Sequence, residues 1–169
     1  MPARPPFWSA ASLISTWGGA GLLPVAPGTW GSLAALPVGL GIVWLAGPWG
    51  LSVAVIVAFV AGLWATAQYL EATGEPDPGA VVVDEVAGQW LALLPVCLDL
   101  RFVPIAFVAF RLADILKPWP ASWADRRLKG AMGVMADDVA AGVYAGLAAW
   151  LLTFWLGYRS HFAAWPVAP

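Results

Sequence analysis

DEVAGQWLALLPVCLDLRFVPIAFVAFRLADILK, residues 84–117, is the stretch whose reading decides how this chain folds. Apolar runs up to Leu98 and from Phe102 to Leu116 flank Asp99-Leu100-Arg101. Neither run reaches the ~20 residues of a bilayer-crossing helix. One continuous helix would bury Asp99 and Arg101 near mid-bilayer, at roughly 2.5–3.5 kcal/mol per charge on insertion scales. It would also part Asp84 from Asp137 across the bilayer. A helical hairpin, tilted or re-entrant, begins and ends on one side and is the cheaper arrangement.

Composition supplies the membrane frame. The 169 residues are 61% hydrophobic and 11% charged, with mean hydropathy +0.78, against roughly 25% charged in an average soluble domain. The expectation is a single integral-membrane domain over 1–169. Twelve Trp residues agree, since Trp favours the boundary between apolar and wet regions. The net charge of −2 says little about partners, and nothing points to nucleic acid. Cys97 is the sole cysteine, which excludes disulfides and thiolate metal clusters. Arg4-Pro5-Pro6 and a weak apolar patch lack the firm core of a cleavable signal, so the N-terminus reads as retained.

Outward from the hairpin, Phe7–Trp17 is mildly amphipathic and predicts an interfacial helix. Gly18–Ser32 reads as a loop that feeds Thr29 or Ser32 into an apolar run as helix N-cap. Leu33–Ala46 is a short span, Gly47-Pro48-Trp49-Gly50 a turn, and Leu51–Leu70 the clearest span. Ala54, Ala58, Gly62 and Thr66 recur every fourth residue, a small face for close helix contact. Glu71–Val83 is a polar loop. Lys117-Pro118-Trp119-Pro120 stops the hairpin's second helix, because proline lacks the amide donor. Val139–Gly157 is a final span with Gly142 and Gly146 as GxxxG and Ala141, Ala145 and Ala149 beside them. The tail 158–169 is irregular. The expected architecture is all-α: an interfacial helix, three clear spans and a central hairpin.

Crossing parity then puts Gly18–Ser32, Glu71–Glu85 and Lys117–Asp138 on one face. Arg4, Lys117, Arg126, Arg127 and Lys129 share that face, against Arg101 and Arg159 opposite. The positive-inside bias assigns it to the cytoplasm.

Half of the 18 charged side chains fall between Arg111 and Asp138. Asp84 and Glu85 open one helix and Asp137 and Asp138 another, positions where capping and the helix dipole are the ordinary explanation. Two such pairs at one boundary, with Asp114 between them in sequence, make a carboxylate cluster that needs a cation. Oxygen donors without His or Cys suit a hard ion such as Mg²⁺. Asp77 is a sixth candidate, in an Asp-Pro-Gly sequence that is also an ordinary turn. Arg111 and Asp114 share a helix face and either pair with each other or serve an anionic headgroup, with Lys117 one turn on. Gly28, Thr29 and Ser32 offer amides and hydroxyls at a helix start, either a phosphate cradle or a plain entry loop. Arg126, Arg127 and Lys129 read as a headgroup-facing basic patch, and His161 as interfacial. There is no Ser/His/Asp set and no G-x-x-x-x-G-K-[ST] loop.

STWGGAGLLPVAPGTWGSLAALP (15–37), DPGAVVVDEVAGQW (77–90) and FRLADILKPWPASWADRRLKGAMGVMADDVAAG (110–142) together resemble the bacterial phosphatidylglycerophosphatase A family over nearly the whole chain. The resemblance implies an all-α membrane enzyme of the inner membrane. Such an enzyme removes the terminal phosphate of phosphatidylglycerophosphate, leaving phosphatidylglycerol, with Mg²⁺. It maps the acidic positions onto Asp77, Asp84, Glu85, Asp114, Asp137 and Asp138 and the basic ones onto Arg111 and Lys117. Two departures stand out: Ala113 where an aromatic is usual, and Ala131 for the second glycine of a Gly-Gly pair. On this reading Asp84, Glu85, Asp114, Asp137 and Asp138 supply metal ligands and one general base. Arg111, Lys117 and the 28–32 segment hold phosphate, and the acyl chains stay in the bilayer. Rival readings are a phosphatase for another lipid phosphate and a small transporter or channel. The sequence leaves the oligomeric state open.

Overall fold

The computed structural model describes residues 4–155, apart from the side chain of Asp125. Arg159, His161, the tail 158–169 and the expected end of the last span at Gly157 lie outside the described residues. Within them, every regular element is helical: α1 (Ala10–Ser15), α2 (Pro27–Thr73), α3 (Val83–Leu93), α4 (Val103–Leu116), α5 (Ala121–Arg127) and α6 (Gly130–Trp155). Short 3₁₀ turns stand at Ala20–Leu22, Leu94–Val96 and Leu100–Phe102.

A straight helix of 47 residues would run about 70 Å, but α2 breaks at Gly47, where φ is 67° and ψ −172°. Only glycine adopts that backbone readily, and Pro48 follows it without an amide donor. Gly31 before the break lies against Val82, and Gly62 after it lies against Val83. Two residues so far apart in sequence meet adjacent positions of α3 only if the chain reverses. The limbs 27–46 and 48–73 therefore correspond to the two helices expected over 33–46 and 51–70, and the turn falls where Gly-Pro-Trp-Gly put it. The small-residue face also holds: Ala58, Gly62 and Thr66 are buried, and a Cβ on Gly62 would meet the Met135 side chain at 2.7 Å.

The hairpin of residues 84–116 is present. α3 and α4 are joined by the two short turns, and a Cβ on Gly88 would strike the Phe110 ring at 2.5 Å. Asp99 and Arg101 pair with each other at the exposed bend, Nη2 to Oδ2 at 2.6 Å. α6 packs on α3 backbone to backbone, with Gly142 over the Gly88 carbonyl and Gly146 over that of Leu91. A Cβ at Gly142 would sit 2.4 Å from that oxygen, so the GxxxG face is a real contact. Trp90 ties α3 to the first limb of α2 by donating its indole N–H to the Ala35 carbonyl at 2.8 Å.

α2 and α6 are long and apolar enough to cross a membrane. Their outward faces carry exposed Trp44, Leu45, Ile56, Val57, Leu151 and Phe154, an apolar surface larger than a water-soluble monomer ordinarily shows.

Three boundaries differ from expectation. α1 is six residues long, shorter than the interfacial helix over 7–17, and buries Ala11, Ser12 and Ser15 against the bundle. α2 begins at Pro27, so the Pro27–Ser32 segment is its first turns and not a loop. Its N-cap is Ala26 in the left-handed region, and neither Thr29 nor Ser32 caps it. Pro at N1 is favourable because no amide is lost there. α6 begins at Gly130, nine residues before the expected start, which carries Asp137 and Asp138 inside the helix.

Candidate active site

One end of the bundle gathers the three polar segments that parity placed together. A cleft of about 550 Å³ opens there. Pro27 and Gly28 line it from the start of α2, and Pro76, Asp77, Gly79 and Val81 from the loop before α3. Asp84 and Glu85 rise from the first turn of α3, and Asp114 and Lys117 from the end of α4. Arg126 of α5, Lys129 of the connection after it, and Asp137 and Asp138 of α6 complete it. The opposite end holds the Gly47 break and the Asp99–Arg101 bend.

Asp84, Glu85 and Asp138 each place one carboxylate oxygen so that all three atoms lie within 4.8 Å of one another. Asp84 and Asp138 are buried, at 8% and 4% exposure, and the second oxygen of Glu85 is buried without a partner. Anionic oxygens this close repel unless a cation lies among them. An oxygen-only set gathered this closely fits a hard divalent cation.

Two ion pairs flank that trio. Arg111 Nη1 lies 2.7 Å from Asp114 Oδ2 and 3.8 Å from Glu85 Oε1. Its other close neighbour is the Ser32 hydroxyl, at 3.5 Å. Lys117 Nζ donates to Asp137 Oδ2. Lys117 itself sits at φ 44° at the end of α4, an uncommon backbone for a side chain with a Cβ, and this turns its stem toward α6. Asp84 and Asp137 each also accept the backbone N–H of the following residue, at 3.1 and 3.0 Å.

The structure thus brings together all five expected carboxylates, with Asp77 on the cleft wall. Three of the residues expected to hold phosphate, Arg111, Thr29 and Ser32, lie off the cleft lining. Arg111 is not among the cleft-lining residues and pairs with Asp114 and Glu85. Ser32 is buried behind Arg111, donating its hydroxyl to the Gly28 carbonyl at 2.9 Å. Thr29 is half-buried and off the cleft lining, and its amide already bonds to the Ala26 carbonyl. Gly28 does line the site, in close quarters: a Cβ there would fall 1.9 Å from Glu85 Oε1 and 3.1 Å from Arg111 Nη1. That contact joins α2 to the acidic trio and has no signature in sequence spacing. Arg126 and Lys129, read as a surface patch, turn into the cleft.

The family description "Phosphatidylglycerophosphatase A" matches residues 13–153. The chain belongs to the phosphatidylglycerophosphatase A family. It is similar to the Escherichia coli protein of that name, 41% identical over 133 residues, covering 78% of this chain and 76% of the relative. The Haemophilus influenzae phosphatidylglycerophosphatase A is 33% identical over 145 residues, covering 85% and 89%. A Bacteroides thetaiotaomicron protein named "Putative phosphatidylinositol-3-phosphatase" is 41% identical over 140 residues, covering 79% and 87%. No solved structure matches the chain. Both departures from the family pattern are accommodated. Ala113 packs beside the small cluster of Ala92, Phe110, Ala141 and Ala145. Gly130 keeps its left-handed φ of 64°, while Ala131 is already within α6.

Proposed function

We propose that the protein hydrolyses the terminal phosphomonoester of phosphatidylglycerophosphate, with Mg²⁺, at the cytoplasmic boundary of a bacterial inner membrane. The observation that carries this reading is the meeting of Asp84, Glu85 and Asp138 at the foot of a polar cleft, at one end of an apolar bundle. Those three residues would hold the cation, which would supply charge neutralisation at the phosphoryl group and a lowered pKa for an attacking water. Lys117 presents its ammonium to the phosphoryl oxygens beside Asp137. Asp114 and Asp137, outside the trio, are the carboxylates left to take the water's proton. Arg111 holds Glu85 and Asp114 in place, and the acyl chains remain among the exposed apolar helix faces.

The test is phosphate release by the purified protein from a panel of lipid phosphates, with and without Mg²⁺. Metal-dependent release with phosphatidylglycerophosphate as best substrate is expected; no release from it would sink the reading. A second reading, hydrolysis of another lipid phosphate, is favoured by the Bacteroides relative, whose name specifies an inositol lipid at an identity equal to that of the E. coli protein. Preference for phosphatidylinositol 3-phosphate in the same panel would establish it. A channel or transporter fits less well, because no charged residue follows Asp138 within α6. For sidedness, single cysteines in 25–32, 75–85 and 118–137, built after replacing Cys97, are expected to react with an impermeant thiol reagent from the cytoplasmic side only. Labelling of two segments from opposite sides would end the single-site account.

A further inference from the structure

Arg126 and Lys129 line the cleft, yet the mechanism above gives neither a role. The other cations near the site are engaged with carboxylates, Arg111 with Asp114 and Glu85 and Lys117 with Asp137. Arg126, by contrast, has its Nη2 3.4 Å from the Ser122 hydroxyl. Among the described residues, neither Arg126 nor Lys129 forms an ion pair. Both are exposed, Arg126 in the last turn of α5 and Lys129 on the short connection into α6. These two cations line the same cleft as the acidic trio but come from a different part of the chain. The volume of about 550 Å³ lies within the roughly 300–1,000 Å³ of small-molecule sites, enough for a headgroup with two charged ends.

We propose that Arg126 and Lys129 bind a second anionic group of the substrate, a phosphodiester, and so select lipids that carry a phosphodiester as well as the phosphomonoester to be cleaved. The inference rests on the lipid-phosphatase reading above and adds the residues that recognise the diester. A planar guanidinium matches the two non-bridging oxygens of a diester, and the lysine adds a point charge beside it. A lipid whose phosphomonoester sits directly on the diacylglycerol lacks that second anchor. Arg127 is a built-in control: it is adjacent, exposed and equally charged, but does not line the cleft.

The experiment uses the full chain in neutral detergent micelles, which remove the field of an anionic membrane surface. Short-chain phosphatidylglycerol, a diester without a monoester, and inorganic phosphate serve as competing inhibitors. The lipid is also titrated directly by calorimetry. In Arg126→Ala/Lys129→Ala, binding of the diester lipid should weaken by about tenfold or more, the scale of a lost charge-assisted hydrogen bond. KM for phosphatidylglycerophosphate should rise in step, while inhibition by inorganic phosphate stays within about twofold. Arg126→Lys should fall between wild type and the double variant, and Arg127→Ala should match wild type. Equal weakening of inorganic phosphate would assign the pair to the reacting phosphate and overturn the proposal. Equal loss in Arg127→Ala would reduce it to a surface field, and unchanged diester binding would also reject it. If wild-type protein releases no phosphate from phosphatidylglycerophosphate, the functional reading fails, while the calorimetric arm still decides whether the pair binds a diester.

Discussion

Asp84-Glu85 and Asp137-Asp138 are nearly the same chemical unit in two unlike settings. The first pair lies in the opening turn of α3, where unpaired amides and the positive end of the helix dipole favour anions. The second lies well inside α6, beyond the reach of either effect. Asp84, Asp137 and Asp138 are nonetheless all buried. The α6 pair must therefore draw its stabilisation from other elements: Lys117 from the end of α4 for Asp137 and, on the proposed reading, a cation shared with α3 for Asp138. An acid pair that its own helix would tolerate has been joined to one that its own helix would not.

The largest effect should come from removing a member of the trio. Asp84→Asn and Asp138→Asn should each lower Mg²⁺-dependent turnover by more than the roughly 10–100-fold typical of outer-shell partners, with insertion and helicity unchanged. Near-normal activity in either folded variant would strike that residue from the ligand set. The two settings also predict an asymmetry on metal removal. Chelation should lower the Tm of wild type, whereas Asp138→Asn should be less sensitive to chelator, because a buried charge without local support has been neutralised.

Next in size is Gly28→Ala. Its Cβ would overlap Glu85 Oε1, and displacing that carboxylate should reduce cation affinity by roughly 10–100-fold, while Thr29→Ala next door should change little. Arg111→Lys should follow at about tenfold, and the affected constant tells its role. A loss in cation affinity marks a brace for Glu85 and Asp114; a rise in the inhibition constant of inorganic phosphate alone would restore the phosphate clamp. A double-mutant cycle on Lys117 and Asp137 should give coupling on the order of 1–3 kcal/mol in stability. Smallest of all is Asp99→Asn at the far bend, where the exposed pair with Arg101 should be worth under about 1 kcal/mol.

Much of this fold was legible because its decisive features are local. Gly47-Pro48 breaks any helix, and Asp99-Leu100-Arg101 makes a single crossing of 84–116 expensive. Gly142 and Gly146 can approach a neighbouring backbone whichever neighbour it is. The start of α6 was not legible, since glycines, basic residues and two aspartates interrupt the apolar pattern before Val139. The start of α2 was hidden in the same way, with Pro27, Gly28 and Gly31 having the composition of a loop. That the five carboxylates meet at one end of the bundle was legible from residue type and parity. Arg111's place off the cleft lining was not, because spacing fixes the helix face it shares with Asp114 but not which element covers that face. The approach of Gly28 to Glu85, and the turn of Arg126 and Lys129 into the cleft, depend on how separate helices pack.

The joining of the two acid pairs is tested most directly by cation titration, followed by calorimetry in micelles without substrate. Wild type, Asp84→Asn, Asp138→Asn and Asp99→Asn would be compared at matched folding. Shared ligation predicts that both Asp84→Asn and Asp138→Asn lose cation binding, while Asp99→Asn binds as wild type does. Wild-type affinity in Asp138→Asn would contradict it, leaving the acids of α3 and α6 as neighbours and not one site.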